Sequence, residues 1–326
     1  MKLLVLGGTR FVGRAVVAEA LSRGWEVTAL HRGVTGVLPA GVTALFADRR
    51  SEQDLAAALG ERSWDLVVDT WSGAPDVVAI AARLLDGRVR HFGYVSSASV
   101  YVWGRHVDEQ SPVLEGDAQA TNGEYGAIKR GAELAVLEVF PDALLCRAGL
   151  ILGPHEDIGR LPWWLNRLAR GGRVVAPGRP GRPLQYVDAR DLAVWLNSCL
   201  AEGVRGAVDV VSRSGHATTQ QLLEACVAAT ESDAELVWIT EAELAESGAE
   251  PWTQLPCWVP EVGDFAGFLE ANASLAGATG LVCRPVHDTV DDTWRWLQQA
   301  GTPQQRPDRP VHGLPAELER QILARH

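Results

Sequence analysis

The sequence predicts an α/β protein: a doubly wound parallel sheet with helices on both faces, followed by a smaller C-terminal lobe. Three observations carry that expectation. Short, nearly continuous apolar runs alternate with helical patterns through the first 150 residues, as strands buried on both faces require. A glycine-rich turn, Gly7-Gly8-Thr9-Arg10-Phe11-Val12-Gly13, separates the first such run from the first helical pattern. After Gly153-Pro154 the character changes, with Pro and Gly gathered over 171–183 and eight of twelve tryptophans between Trp163 and Trp296.

In order, 3–6 reads as a strand and 12–22 as a helix closed by Arg23-Gly24, a cation in the last turn with a glycine beyond it. Strands follow at 26–30 and 43–46, then a helix at 52–59, a strand at 66–68, a helix at 76–85 and a strand at 92–95. A longer helix is expected over 123–139 and a strand over 144–146. Beyond the Pro/Gly stretch, a helix over 189–199 and a strand over 207–211 repeat the alternation, so the chain is expected to return to the sheet. Segments 218–230 and 286–299 read as helices, 302–313 as extended proline-rich chain and 316–324 as a short amphipathic helix. The division expected is a sheet domain at 1–152, rejoined at about 184–212, with a second lobe and tail at 153–183 and 213–326.

Composition narrows the function classes. At 326 residues, 47% hydrophobic and 22% charged, the chain has the make-up of a globular protein with room for a large core. Its net charge of −11 is diffuse and no Lys/Arg cluster interrupts it, which disfavours nucleic acid and anionic membranes as partners. No apolar run reaches the ~18 residues of a membrane span. The first residues enter the glycines directly, without the pattern of a signal segment. Five cysteines, widely spaced and odd in number, fit a reducing cytoplasm; eight histidines without ligand spacing argue against a metal site.

Two features point to chemistry. In the glycine turn, Gly7 permits a tight bend, Gly13 lets helix and strand approach, and the helix N-terminus favours a diphosphate. Among 30 cationic side chains only Lys2 and Lys129 are lysines, and Lys129 stands four residues after Tyr125. Residues at that spacing share a helix face. An ammonium there pulls a phenol below its usual pKa of about 10 and suits it to proton transfer.

With these belong Ser96-Ser97-Ala98-Ser99-Val100-Tyr101 after the fifth strand, Arg147-Ala148-Gly149-Leu150-Ile151-Leu152-Gly153-Pro154, and Tyr186-Val187-Asp188-Ala189-Arg190-Asp191-Leu192-Ala193. In order and spacing, over roughly residues 1–215, the set resembles the extended short-chain dehydrogenase/reductases, the NAD-dependent epimerase/dehydratase family. The remainder is similar, more loosely, to bacterial isoflavone-reductase-like members. The resemblance implies a Rossmann dinucleotide-binding domain and a substrate lobe. Ser96, Ser97 and Ser99 are all candidate hydroxyls on sequence; the family's motif selects Ser97 to bond the substrate oxygen. It implies that Tyr125 exchanges the proton, and that Lys129 tunes the phenol and holds the nicotinamide ribose. It places Gly7, Thr9, Arg10, Phe11, Val12, Gly13 and Leu150 in the cofactor site and Asp48 at the adenine.

Departures from the pattern refine this. Arg10 replaces the usual middle glycine and is expected to turn its fork toward a phosphate. Leu30-His31-Arg32-Gly33 ends the second strand without a carboxylate for a ribose 2′-hydroxyl, and Arg32 suits a 2′-phosphate. NADP(H) is therefore expected in preference to NAD(H). Ala98 and Ser99 stand where dehydratases carry an acidic pair, and Arg147-Ala148-Gly149 replaces the Tyr-Phe-Asn of nucleotide-sugar epimerases. The expected function is hydride transfer between a nicotinamide cofactor and a carbonyl or alcohol of a small molecule. Epimerisation through a transient ketone is the runner-up. A non-catalytic NAD(P) sensor or RNA-associated protein is the alternative of another class, disfavoured by the retained Ser97, Tyr125 and Lys129. Trp71, Arg160, Trp163 and Gln185 are the substrate-facing candidates, while His155-Glu156-Asp157 reads as a solvated polar loop. The resemblance also makes a homodimer, paired through the helix bearing Tyr125, an expectation.

Overall fold

The structure, a computed structural model, describes residues 1–104, 107–263, 267–306 and 309–326. The chain begins with β1 (Lys2–Leu6), α1 (Phe11–Ser22), β2 (Glu26–His31), β3 (Thr43–Phe46), α2 (Glu52–Leu59), β4 (Trp64–Asp69), α3 (Pro75–Leu85) and β5 (Val89–Ser97). Helix α4 (Tyr125–Leu137) and β6 (Leu144–Ala148) follow. Then come β7 (Ile151–Leu152), α5 (Arg160–Leu168), β8 (Arg173–Pro177), β9 (Pro183–Leu184), β10 (Val187–Asp188), α6 (Ala189–Glu202) and β11 (Gly206–Val210). The remainder comprises β12 (Ala217–Thr218), α7 (Thr219–Thr230), β13 (Glu235–Ile239), α8 (Glu241–Ser247), α9 (Ser274–Ala278), α10 (Val286–Ala300) and α11 (Ala316–Leu323).

Seven strands pair in parallel in the order β11-β6-β5-β4-β1-β2-β3. Strand alternation explains why β1 reads as one unbroken apolar run. Leu3 and Val5 enter a core with Val16 and Val17 of α1 and Trp195 and Leu196 of α6. Leu4 and Leu6 enter the opposite core with Leu55 of α2, Val78 of α3 and Ala132 of α4. Each such side chain contributes about 1.5–3 kcal/mol on leaving water, so both faces must be covered. The order reverses between β1 and β4, and a crevice at the carboxyl ends of these strands is where an open α/β sheet binds its ligand.

A second body forms around α5, α7 and α10, where Trp164, Leu165, Leu222 and Val290 are buried together. Strands β8 and β13 pair in parallel from Arg173↔Glu235 to Pro177↔Ile239. Neither α5 nor this pair was expected from sequence. The α5 sequence RLPWWLNRL places Pro162 in the first turn, where proline is tolerated, but proline beside two tryptophans hides the helical period. Among the described residues, no helix is long and apolar enough to cross a membrane.

Candidate active site

The phosphate turn is built by close approach. Gly7 has φ +106°, and a Cβ there would lie 2.5 Å from Thr70 Oγ1, which itself donates to the Leu6 carbonyl at 3.0 Å. A Cβ on Gly13 would meet the Gly7 carbonyl oxygen at 2.0 Å, so α1 packs against the turn only with glycine there. No side chain caps α1 at Arg10, which leaves its first-turn N–H groups for an anion. A cavity of about 520 Å³, lined by Thr9, Arg10, Phe11, Thr35, His155 and Trp296 among others, opens beside this helix end. That volume lies within the usual range for ligand pockets, and the residues present fit a dinucleotide.

Arg10 corrects one expectation: its Nη1 bonds the Asp157 carboxylate at 3.1 Å, so the fork spans to the second lobe. A fixed carboxylate of opposite charge claims it first. The reading of His155-Glu156-Asp157 as solvated is corrected as well. Glu156 is fully buried, accepts the N–H groups of Arg160 and Leu161 at the start of α5, and pairs with Arg160 Nε at 3.1 Å. Burial, followed by the Arg14 and Arg190 cations, brings the His155 imidazole down to about 4. Arg32 is exposed at the end of β2 and makes no hydrogen bond or ion pair with the described residues, while Asp48 accepts the Arg50 N–H at 3.1 Å. Leu150 is buried in the second body's core, with its carbonyl taken by the Val187 N–H at 2.8 Å. It therefore packs, where cofactor contact was expected.

Ser97 ends β5 and caps the short turn 98–100, accepting the Ser99 N–H at 3.1 Å. Tyr125 is the first residue of α4. Gly126 seats that helix on the same turn, since a Cβ on it would stand 2.3 Å from the Ser99 carbonyl oxygen. The two hydroxyl-bearing residues thus sit on directly packed segments. Tyr125 is 37% exposed, whereas Tyr94, Tyr101 and Tyr186 are buried.

Lys129 lies one turn further along α4 and is 2% exposed. Its Nζ donates to the Trp71 carbonyl at 2.7 Å, to Tyr94 Oη at 2.9 Å and to the Val95 carbonyl at 2.7 Å. An ammonium has three donors, and all three are engaged inside the protein. Among the described residues, Nζ therefore makes no hydrogen bond to Tyr125. Burial lowers the amine to about 7, opposed by the Asp69 and Glu133 carboxylates.

The substrate-facing expectations are also revised. Arg160 is committed to Glu156 and the Ile151 carbonyl, and its fork lies over the Trp252 ring. Gln185 is buried and bonds the Ser212 and Ala271 backbones. Trp163 packs edge-on against Trp164 and crowds Gly313. Trp71 does reach the site, but through its carbonyl; its indole donates to the Ala74 carbonyl at 3.0 Å. Long polar and aromatic side chains find partners inside a folded lobe more readily than sequence position reveals.

Sequence reading missed four contributors. Glu133 accepts from Ser96 Oγ at 2.7 Å and from Arg147 Nε and Nη2 at 2.9 Å each, tying α4 to β5 and β6. Its place eight residues after Tyr125 and four after Lys129 was the available signal. Asp69 grips Arg49 bidentately at 2.7 and 2.5 Å. From the tail, the Arg309 guanidinium stands 4.5 Å over the Tyr125 ring centroid, and Arg306 Nη2 reaches Ser72 Oγ at 3.4 Å. No local pattern marks those two.

The model of the NAD dependent epimerase/dehydratase family matches residues 3–210. The chain belongs to that family. It is an enzyme of the extended short-chain dehydrogenase/reductase type, which works with a nicotinamide dinucleotide as reductase, dehydrogenase or epimerase. Among curated relatives, a Streptomyces antibioticus protein described as a probable dTDP-4,6-dihydroxy-2-methyloxan-3-one 4-ketoreductase is 27% identical over 229 residues, 69% of this chain and 75% of the relative. The chloroplast stem-loop binding protein of 41 kDa b of Arabidopsis thaliana is 24% identical over 243 residues, 70% of this chain and 63% of the relative. Among solved structures, the Bordetella bronchiseptica enzyme WbmH in complex with NAD+ superposes with a TM-score of 0.69 at 18% identity. That match covers 92% of this chain and 99% of the other, and it shows a shared fold.

Proposed function

We propose that this enzyme reduces a ketone of a small, sugar-like molecule, with Tyr125 as proton donor and NADP(H) preferred over NAD(H). The observation that carries the reading is the seating of α4 on the turn that Ser97 caps, which gathers Ser97, Tyr125 and Lys129 at the carboxyl edge of the sheet. When bound, the nicotinamide cofactor supplies the hydride to the carbonyl carbon. Ser97 and Tyr125 orient the carbonyl oxygen by hydrogen bonding, and the Tyr125 hydroxyl gives up its proton to the alkoxide as it forms. Lys129, buried one turn along the same helix, supplies a positive charge to the site. Arg32, exposed and uncommitted, suits a 2′-phosphate. The ketoreductase relative supports a sugar substrate carried on a nucleotide.

The stem-loop-binding relative makes a non-catalytic role on the same fold concrete. A net charge of −11 and the retained Ser97, Tyr125 and Lys129 weigh against it. The test is Tyr125→Phe, assayed with NADPH and a panel of nucleotide-linked keto sugars. Cofactor binding, read by NADPH fluorescence, should stay unchanged while turnover falls on the order of 10²-fold or more. Full activity in the variant would sink the mechanism. NADPH binding by the parent protein with no turnover across the panel would favour the non-catalytic reading.

A further inference from the structure

We propose that Asp69 is a positioning residue for Lys129: clamped by Arg49, its carboxylate fixes the Trp71 peptide that receives the lysine ammonium and supplies that ammonium's balancing negative charge. Asp69 ends β4 with its side chain fully buried, and Arg49 is 5% exposed. One carboxylate oxygen accepts both Arg49 Nη1, at 2.7 Å, and the Trp71 N–H, at 2.8 Å; the other accepts Arg49 Nη2. Trp71 is thereby held at its N–H by Asp69, at its indole by the Ala74 carbonyl, and over its ring by Arg49 at 5.1 Å. Its carbonyl is left to face Lys129 Nζ, at 2.7 Å, and Tyr94 Oη, at 3.0 Å.

The need for such a device follows from the lysine's surroundings. All three acceptors of Lys129 are neutral oxygens, so no carboxylate touches the charge directly. A buried ammonium without a counter-charge gives up its proton. The ionisable groups acting on it are Asp69 from β4, Glu133 from its own helix, Cys146 from β6 and Arg309 from the tail, with Tyr94 of β5 in direct contact. Glu133 already answers two cations, Arg147 and Arg130. Asp69, answering one, is the larger stabilising charge on Lys129. Arg49 is also the chain neighbour of Asp48, so the clamp joins the loop after β3 to the site at α4.

The inference rests on the reading of Lys129 as the site's lysine, yet its test observes the ammonium itself and can fail while the Tyr125→Phe result stands. With only two lysines in the chain, protein labelled with carbon-13 at the lysine ε position gives two signals, and Lys2→Arg identifies Lys129 by what remains. The Lys129 signal is followed against pH in the parent, in Asp69→Asn and in Arg49→Gln, with circular dichroism confirming the fold. Asp69→Asn keeps the shape and removes the charge, so the Lys129 midpoint should drop by about one pH unit or more. Arg49→Gln releases the carboxylate from its clamp and leaves it buried without its cation, so the Lys129 midpoint should fall there as well. Downward shifts in both variants support the proposal. A Lys129 midpoint that stays put in folded Asp69→Asn, or that rises, overturns it.

Discussion

At the scale of single residues, the two arginines that the sequence assigns to a dinucleotide, Arg10 and Arg32, have opposite standing. Arg10 is spent on Asp157, in a pair whose members are 45% and 15% exposed. Arg32 is exposed and meets no described partner, so its fork is available to a ligand phosphate. A charge-assisted hydrogen bond to such a group is worth about 1.5–3 kcal/mol when it is well formed. Arg32→Ala should therefore weaken NADPH about tenfold while leaving NADH nearly unchanged, as read by fluorescence titration of each. Equal losses for both cofactors would remove Arg32 from any role at the 2′-position. Nothing local in the sequence distinguishes Arg10, expected at a diphosphate, from Arg32, expected at a 2′-phosphate. Only the fold shows that Asp157, 147 residues away, claims the first.

At the scale of elements, α4 carries the site, and small residues decide where it sits. Gly126 presses on the Ser99 carbonyl, and Gly131 on the Asp117 carbonyl, where an added Cβ would in each case stand 2.3 Å from oxygen. Alanine in a helix interior gains up to about 1 kcal/mol over glycine. Overpacking against backbone costs typically about 1–3 kcal/mol. The second effect should win at position 126, because the obstructing atom is a backbone carbonyl without rotamers to yield. Gly126→Ala is accordingly expected to lower unfolding free energy in urea by about 1–2 kcal/mol. A neutral or stabilised variant would mean that the turn 98–100 moves freely and does not fix Tyr125 against Ser97. The helix itself was legible from its period and its i, i+4 pair. Its seat was not, since a glycine after a tyrosine carries no mark of the carbonyl it meets.

At the scale of the whole molecule, what was legible followed from local periodicity, and what was hidden followed from contacts between distant segments. The sheet strands announced themselves because each is buried on both faces and reads as an apolar run, as β1 does. The glycine turn was legible because it is local. Asp69 with Arg49, Glu133 with Arg147, and Arg309 over Tyr125 join separate elements, and no window of sequence contains them. His312 belongs to that hidden class and yields a prediction for the entire fold. It is 6% exposed in the tail, and its backbone N–H donates to Gln305 Oε1 at 3.0 Å. Burial first, and the Arg160 cation next, lower its imidazole to about 4 from the ordinary 6.5. Between those values the unfolded chain takes up a proton that the folded chain refuses, so stability is lost as pH falls from 6.5 toward 4. Asp209 works the other way, because burial raises its carboxyl to about 7 and the folded chain retains a proton that the unfolded one releases. The parent's own pH curve blends these with His155, whose imidazole is likewise lowered to about 4, and a difference between variants separates them. His312→Gln removes the histidine contribution alone. Its stability relative to the parent should rise by up to about 1.4 kcal/mol per pH unit below 6.5 and stay level above it, measured by urea unfolding at several pH values. A difference that is the same at every pH would show that His312 is protonated as readily in the fold as outside it.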